Sequence, residues 1–280
     1  MTGPEKAPDP RNDLLEAARW MATADHAPKG GGVTSDLSID EGLLLHSASF
    51  EAVELVFGES TTSIPAGVWR WGVGELSFAS DAHNRAVETA SRRISTECAR
   101  AHGQGVVGVR VEIEVHPHHV DVELVGTAVR KIGSAEAAGR PFVSGLSARD
   151  FVLLNNAGWL PVGLAFGTSF IYAPRRTAGT AIRQSTQNVE LTNLTEALYS
   201  ARESAMERMQ DAGRRLQAHG IVGVKVVEGP ISFSTHVMGF SARGTAVALQ
   251  KGGHVPVVPQ LTLGLDDQDL QFEAESLRGG

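Results

Sequence analysis

The most constraining feature of this sequence is an internal repeat. Residues 37–60 align without a gap on residues 146–169, and ten of the 24 aligned positions are identical. The identical positions include the dipeptides Phe57-Gly58 and Phe166-Gly167. Two stretches this similar indicate that one module occurs twice in the chain.

The repeat continues beyond this block. Gly105–Val109 and Gly220–Val224 differ at one position, and each copy then ends on Gly-Thr-Ala-Val, at 126–129 and 244–247. A copy therefore spans roughly a hundred residues, a common domain size. We predict a flexible N-terminal arm, a first module, a linker, a second module and an acidic C-terminal tail, at residues 1–36, 37–131, 132–145, 146–251 and 252–280.

Charge and cysteine content exclude several classes of protein. The net charge is −7 and the isoelectric point is near 5.8, which argues against a nucleic-acid partner. Cys98 is the one cysteine, so neither an internal disulfide nor a thiolate zinc site can form. No apolar run is long enough for a membrane span, and no signal peptide is evident. These observations predict a cytoplasmic protein.

Short apolar runs predict a strand pair at the start of each module, followed by a further extended stretch. The strands are Leu43–His46 and Val53–Phe57, matched by Val152–Asn155 and Val162–Phe166, and the extended stretches are Gly67–Phe78 and Thr168–Ala173.

One long amphipathic helix is predicted in each copy, over about residues 82–102 and 194–219, because apolar residues recur there at helical spacing. Asp81 and Asn193 stand where helix N-caps are expected. Alternating apolar and polar residues then predict a hairpin in each copy, and the second is expected to turn near Gly229-Pro230. The predicted hairpin strands are 106–115 and 120–129 in the first copy, and 221–228 and 231–249 in the second.

These elements predict the α+β class, with two tandem β-α-β-β modules, each an antiparallel sheet packed on one long helix. One helix covers only one face of a sheet, so the other face and the edges need another cover. Neighbouring subunits are the usual cover, which predicts a homo-oligomeric ring.

The densest polar cluster is the predicted hairpin tip at His116-Pro117-His118-His119. Imidazoles two or three residues apart can share a metal ion, and copper, nickel and zinc all accept imidazole. Counted back from Gly-Thr-Ala-Val, His236 is the counterpart of His118 in the second copy. The candidate ligands of a divalent transition metal are therefore His116, His118, His119 and His236. The alternative is an exposed turn in which these histidines bind nothing.

Other positions have a structural and a functional interpretation. Cys98, on the first long helix, is either a reactive thiol or a small buried apolar residue. Trp69 and Trp71 would share one face of a strand, as a ligand platform, a subunit interface or part of the core. Gly105–Gly108 follows a helix and opens a strand, the reverse of a phosphate-binding loop, so close backbone packing is expected there.

A stretch of the second copy, residues 198–249, resembles a known family. It contains a helix with small apolar residues, followed by the two glycine-containing motifs: Ala201, Ala205 and Met209, then Gly-Ile-Val-Gly-Val-Lys-Val at 220–226 and Gly-Thr-Ala-Val at 244–247. This pattern is similar to the YbjQ-like bacterial family of heavy-metal-binding domains. The first copy resembles it more faintly, and the resemblance covers about 40–131 and 150–251. It implies compact β-α-β-β modules that assemble into rings, typically pentamers, with a metal-binding role.

The sequence thus favours a non-enzymatic homo-oligomer that binds a metal ion or a small ligand. An alternative is a structural ring protein that recruits a protein partner through the arm at 1–36 or the acidic tail at 252–280. An enzyme with a site between subunits is a third hypothesis, which the absence of a recognisable catalytic motif disfavours.

Overall fold

The computed structural model describes residues 33–66, 74–133, 139–173, 192–231 and 234–250. Most of the predicted arm, the predicted tail, Trp69 and Trp71 lie outside these ranges. Numbered in chain order, the helices are α1 (Ile39–Ser47), α2 (Ser77–Arg100), α3 (Ala148–Asn156) and α4 (Thr192–Arg215). The strands are β1 (Phe50–Ser63), β2 (Gly74–Glu75), β3 (Gly105–Val115), β4 (His119–Lys131), β5 (Phe142–Val143), β6 (Trp159–Tyr172), β7 (Gly220–Ile231) and β8 (Ser234–Leu249).

The elements form two halves of the same design, which confirms the predicted α+β class. The order helix, long strand, long helix and hairpin occurs as α1-β1-α2-β3-β4 and again as α3-β6-α4-β7-β8. The strand order is β1-β4-β3-β5 in the first sheet and β2-β6-β8-β7 in the second, and the long strands pair antiparallel. Because β2 precedes α2 in the chain but pairs with β6, the first half completes the sheet of the second.

Residues in the repeated elements of the first half have counterparts in the second half, at a spacing that increases along the chain. The starts of α1 and β1 recur 109 residues later, at 148 and 159. The starts of α2 and β3 recur 115 residues later, at 192 and 220. In β4 the spacing is 118, as shown by the repeated Gly-Thr-Ala-Val at 126 and 244. This correspondence allows the environments of equivalent positions to be compared.

The predicted first strands, Leu43–His46 and Val152–Asn155, are wrong, because both stretches are helical. Their apolar runs were too short to distinguish a buried strand from one side of a helix. The missed signal is an N-cap: the Ser38 side chain accepts a hydrogen bond from the backbone N–H of Glu41 in a capping box, and Ser147 caps α3 through Asp150.

The predicted second extended stretches are also wrong as separate strands. Thr168–Tyr172 continues the strand that begins at Trp159, and only Gly74–Glu75 is extended in the described part of Gly67–Phe78. The long helices are confirmed, but they start earlier than predicted, at Ser77 and Thr192. Asp81 and Asn193 therefore lie inside the helices and are not N-caps.

The two hairpins are confirmed as equivalent structures. Each first strand carries a bulge at a glycine with positive φ, Gly108 at +66° and Gly223 at +62°, conformations that other residues rarely adopt. The predicted turn at Gly229-Pro230 is wrong, since pairing of β7 with β8 continues to Ile231.

The helix α2 lies between the two sheets. Its fully buried Ala90 and Ile94 meet β1 at Gly58, while His83 on another side of the helix meets Phe166 of β6. The helix α4 packs on the opposite face of the second sheet, through Ala197, Ala201, Ala205 and Met209. The layers are therefore first sheet, α2, second sheet and α4.

Candidate functional site

The predicted metal cluster is partly assembled at the tip of the β3–β4 hairpin. His116 and His119 stack with their ring centroids 4.4 Å apart. Both Nε2 atoms lie near a carboxylate oxygen of Asp121, at 3.5 Å from His116 and 3.2 Å from His119. One potential ligand atom from each of these three residues lies within 4.8 Å of the other two. Sequence reasoning missed Asp121, which is two residues beyond His119 on β4.

The other two predicted ligands are not part of this group. His118 is exposed at the hairpin tip, and His236 lies on β8 in the second half, beside Tyr172. His118 and His236 instead make equivalent backbone hydrogen bonds in the two halves. The carbonyl of His118 accepts from the N–H of Ile64, and the carbonyl of His236 accepts from the N–H of Ala173, each at 2.7 Å. The repeated histidine thus marks a repeated backbone contact.

A larger group of buried polar side chains, among the residues that the structure describes, is at the interface between the halves, where α2 meets β6. His83 stacks on the Phe166 ring with centroids 5.4 Å apart, and Phe170 approaches it edge-on at 5.6 Å. Burial lowers the pKa of His83 to about 4. Its Nδ1 atom has no hydrogen-bond partner within the described residues, so a neutral imidazole serves here as a flat packing group.

Polar residues of α2 bond to the free edge of β6. The Asn84 amide donates to the carbonyl of Thr168 at 2.9 Å and accepts from its N–H at 3.0 Å. The hydroxyl of Ser80 accepts from the N–H of Phe170 at 3.0 Å. These bonds satisfy edge groups that would otherwise face solvent or another chain, and they orient the two halves.

An ion pair crosses the same interface. Glu75 of β2 is paired with Arg208 of α4 and accepts from the hydroxyl of Ser169 at 2.8 Å. Burial alone would raise the pKa of the Glu75 carboxyl, but the hydrogen bonds from Arg208 and Ser169 outweigh it, so that pKa is lowered. Glu75 therefore remains ionised and links the first half to the second.

The repeated Gly-Thr-Ala-Val motif has a packing role. The hydroxyl of Thr127 accepts from the N–H of Asp36 at 3.1 Å, and that of Thr245 accepts from the N–H of Gly145 at 3.0 Å. Both hydroxyls are buried, and both bond to the segment that leads into the first helix of a half. In both halves, the threonine of this motif therefore holds the segment that precedes the first helix.

Cys98 is buried in α2, as the structural interpretation predicted. Its thiol donates to the carbonyl of Gly105 at 3.4 Å, and burial raises the pKa of Cys98 to about 12. The thiolate is the reactive species.

We expect the folded protein to resist a thiol reagent at mildly alkaline pH, because Cys98 stays protonated there, and to react fully in denaturant. Equal reaction rates in the two conditions would contradict this expectation.

Sequence reasoning missed the interface residues Ser80, His83 and Asn84. These residues and Val87 lie at helical spacing along a second side of the first long helix, beside the alanine stripe, and this spacing was the signal available in the sequence. Polar residues at these positions looked like an ordinary solvated face.

Among the described residues, no helix is both long and apolar enough to cross a bilayer.

Comparisons with known proteins support two statements. The model of the YbjQ family, described as "Putative heavy-metal-binding", matches residues 175–250, which is less than half of the chain and lies in its second half. The encapsulin nanocompartment protein Rv1762c of Mycobacterium tuberculosis (strain ATCC 25618 / H37Rv) is 35% identical over 251 residues, covering 86% of this chain and 94% of the relative. No solved structure matches the chain significantly.

The second comparison corrects the main functional prediction. A relative that spans nearly the whole chain is a nanocompartment protein, so binding of a metal ion or small ligand is the wrong principal function. The structural alternative fits better, and it agrees with a fold whose shared features are packing contacts. The chain belongs to the same family as the encapsulin nanocompartment protein of Mycobacterium tuberculosis.

Proposed function

We propose that this protein is a self-associating structural subunit of a protein nanocompartment. The observation that carries the proposal is the 35% identity to an encapsulin nanocompartment protein over 94% of that relative. Because the match covers 86% of this chain, it includes residues of both halves.

The surface of the fold supports self-association. Strand β6 is buried on both faces over its last eight residues, whereas β1 alternates between buried and exposed residues from Val56 to Thr61. Around Phe57 the first sheet is therefore uncovered on the side away from α2, whereas Val107 and Val129 of the same sheet are covered by α1 and α3. Exposed apolar residues on a sheet commonly mark a protein interface.

We also propose that residues 37–131 are a divergent copy of the module matched at 175–250. The repeated element order and the repeated hydroxyl contacts of Thr127 and Thr245 support this origin. Recruitment of a partner by the arm or the acidic tail stays a prediction.

Light scattering coupled to gel filtration tests the proposed function, together with electron microscopy of the same fractions. We expect a mass many times the 29.7 kDa of one chain and particles of closed shape. A monomer at micromolar concentration would overturn the proposal.

A further inference from the structure

The interface between the halves joins two different surfaces. The first half contributes α2 and the adjoining strand β3, and the second half contributes the outer face and edge of β6. Because the halves are copies of one module, each of these surfaces has a counterpart elsewhere in the chain. The counterparts are α4 with β7 in the second half and β1 in the first half.

The counterpart of the β6 surface is exposed on β1. Phe166 is 9% exposed against His83, whereas its counterpart Phe57 is 41% exposed. Leu55, Phe57, Glu59 and Thr61 alternate with buried residues and point away from α2. We call these four residues the exposed strand surface.

The counterpart of the α2 surface is exposed on α4 and β7. Ser80 and His83, which α2 buries against β6, correspond to the half-buried Thr195 and Leu198 of α4. Asn84, which bonds to β6, corresponds to Tyr199, which is 59% exposed. The same helix face continues one turn later to Arg202.

The strand beside each helix shows the same contrast. Val111 of β3 is 9% exposed, and its carbonyl accepts from Arg243 of the second half at 3.0 Å. Its counterpart Val226 on β7 is 53% exposed. Since β7 is an edge strand of the second sheet, apolar residues there invite association. Val224, two residues before Val226 on β7, is also exposed. We call Thr195, Leu198, Tyr199, Arg202, Val224 and Val226 the exposed helix surface.

Each exposed surface carries a charged residue at a position where its buried counterpart has an uncharged one. Val87 of α2 is replaced by Arg202 in α4, and Thr168 of β6 is replaced by Glu59 in β1. The exposed helix surface thus carries a cation and the exposed strand surface carries an anion. Opposite charges of this kind favour one surface binding the other over either surface binding itself.

We propose that copies of this chain associate head to tail. The exposed helix surface of one copy packs on the exposed strand surface of the next, in the manner in which α2 packs on β6 within the chain. The inference rests on the proposed function, for which it supplies the interface. A contact between two different surfaces repeats indefinitely, so it closes into a ring or continues as a filament.

The test uses variants that block one surface each. Phe57→Asp places a charge in the apolar part of the exposed strand surface. Val226→Asp does the same to the exposed helix surface, and Tyr199→Glu is a second variant of that surface. All three side chains are substantially exposed, so the fold is expected to survive, and circular dichroism checks it. Each variant alone should be monomeric by light scattering, because every contact in a head-to-tail assembly needs both surfaces.

An equimolar mixture of Phe57→Asp and Val226→Asp distinguishes head-to-tail from two-fold contacts. The first variant keeps its helix surface and the second keeps its strand surface, so one intact contact forms and the mixture should give a two-chain complex. A contact between identical surfaces predicts that the mixture behaves as its separate components do.

Leu44→Glu is the matched control on the first half. Its counterpart Leu153 is 51% exposed although the second half is already packed on the first, so this position should stay outside the contact between copies. The control should assemble normally. If the unsubstituted chain assembles and the Phe57 and Val226 variants assemble as well, the head-to-tail inference is wrong and the proposed function stands. If the unsubstituted chain is monomeric, the proposed function fails as well.

Discussion

Replacing Gly167 with alanine should lower the free energy of unfolding by about 3 kcal/mol, the upper part of the range for overpacked cores. A Cβ atom on Gly167 would lie 2.1 Å from the carbonyl oxygen of Ala205 and 2.5 Å from the nitrogen of Met209. Both are backbone atoms of α4, so no side-chain rotation relieves the clash, and the helix must move off the sheet. Equilibrium unfolding in urea measures the effect.

The counterpart substitution Gly58→Ala should have a similar effect, because its Cβ would lie 2.4 Å from the carbonyl oxygen of Ala90. Gly42→Ala is the matched control: it lies within α1 with nothing within 4 Å of a Cβ. Alanine in a helix interior is favoured over glycine by about 0.5–1 kcal/mol, so this variant should be slightly more stable. Equal losses for Gly42 and Gly167 would contradict the close-approach explanation.

Lowering the pH from 6.5 to about 4 should cost the folded state about 3 kcal/mol through His83 alone. Above pH 6.5 the imidazole is neutral in both states and adds no pH dependence. Between 6.5 and about 4 the unfolded chain takes up a proton that the buried side chain excludes, so stability falls as pH falls. Below about 4 both states are protonated and the loss is complete.

The variant His83→Leu isolates this contribution, because leucine occupies the counterpart position at Leu198. Urea unfolding at a series of pH values should show that this variant loses less stability on acidification than the unsubstituted chain. His118→Leu, at the exposed hairpin tip, should retain the original pH dependence. Parallel pH profiles for the His83 variant and the unsubstituted chain would show that burial of His83 is not the cause.

Local pattern was sufficient for the elements with long periodicity. Alternation from Val106 to Val129 predicted the first hairpin, and the alanine stripe of residues 201–212 predicted α4. Local pattern was insufficient for Leu43–His46, where three consecutive leucines fit a strand or one side of a short helix equally well. There the N-cap Ser38 decides the structure, because its hydroxyl satisfies an otherwise unpaired N–H at the start of a helix.

For the candidate site, proximity in sequence predicted proximity in space only at short range. His116 and His119 do meet, because a tight hairpin brings both onto its tip. His236 could not be placed in this way, since its equivalence to His118 follows from the repeat and equivalent positions lie in different halves. The carboxylate partner Asp121 became evident only with the register of β4.

The sequence by itself predicted a module that occurs twice. The glycines of the two Phe-Gly pairs and the threonines of the two Gly-Thr-Ala-Val motifs make matching contacts in the two halves. Only the tertiary structure decided which copy of each surface is covered. Phe57 and Phe166 are the same residue at equivalent positions, yet the first is exposed and the second is buried beneath α2. The physical reason is that burial depends on what packs against a surface, and one chain of two modules covers one of its two strand surfaces.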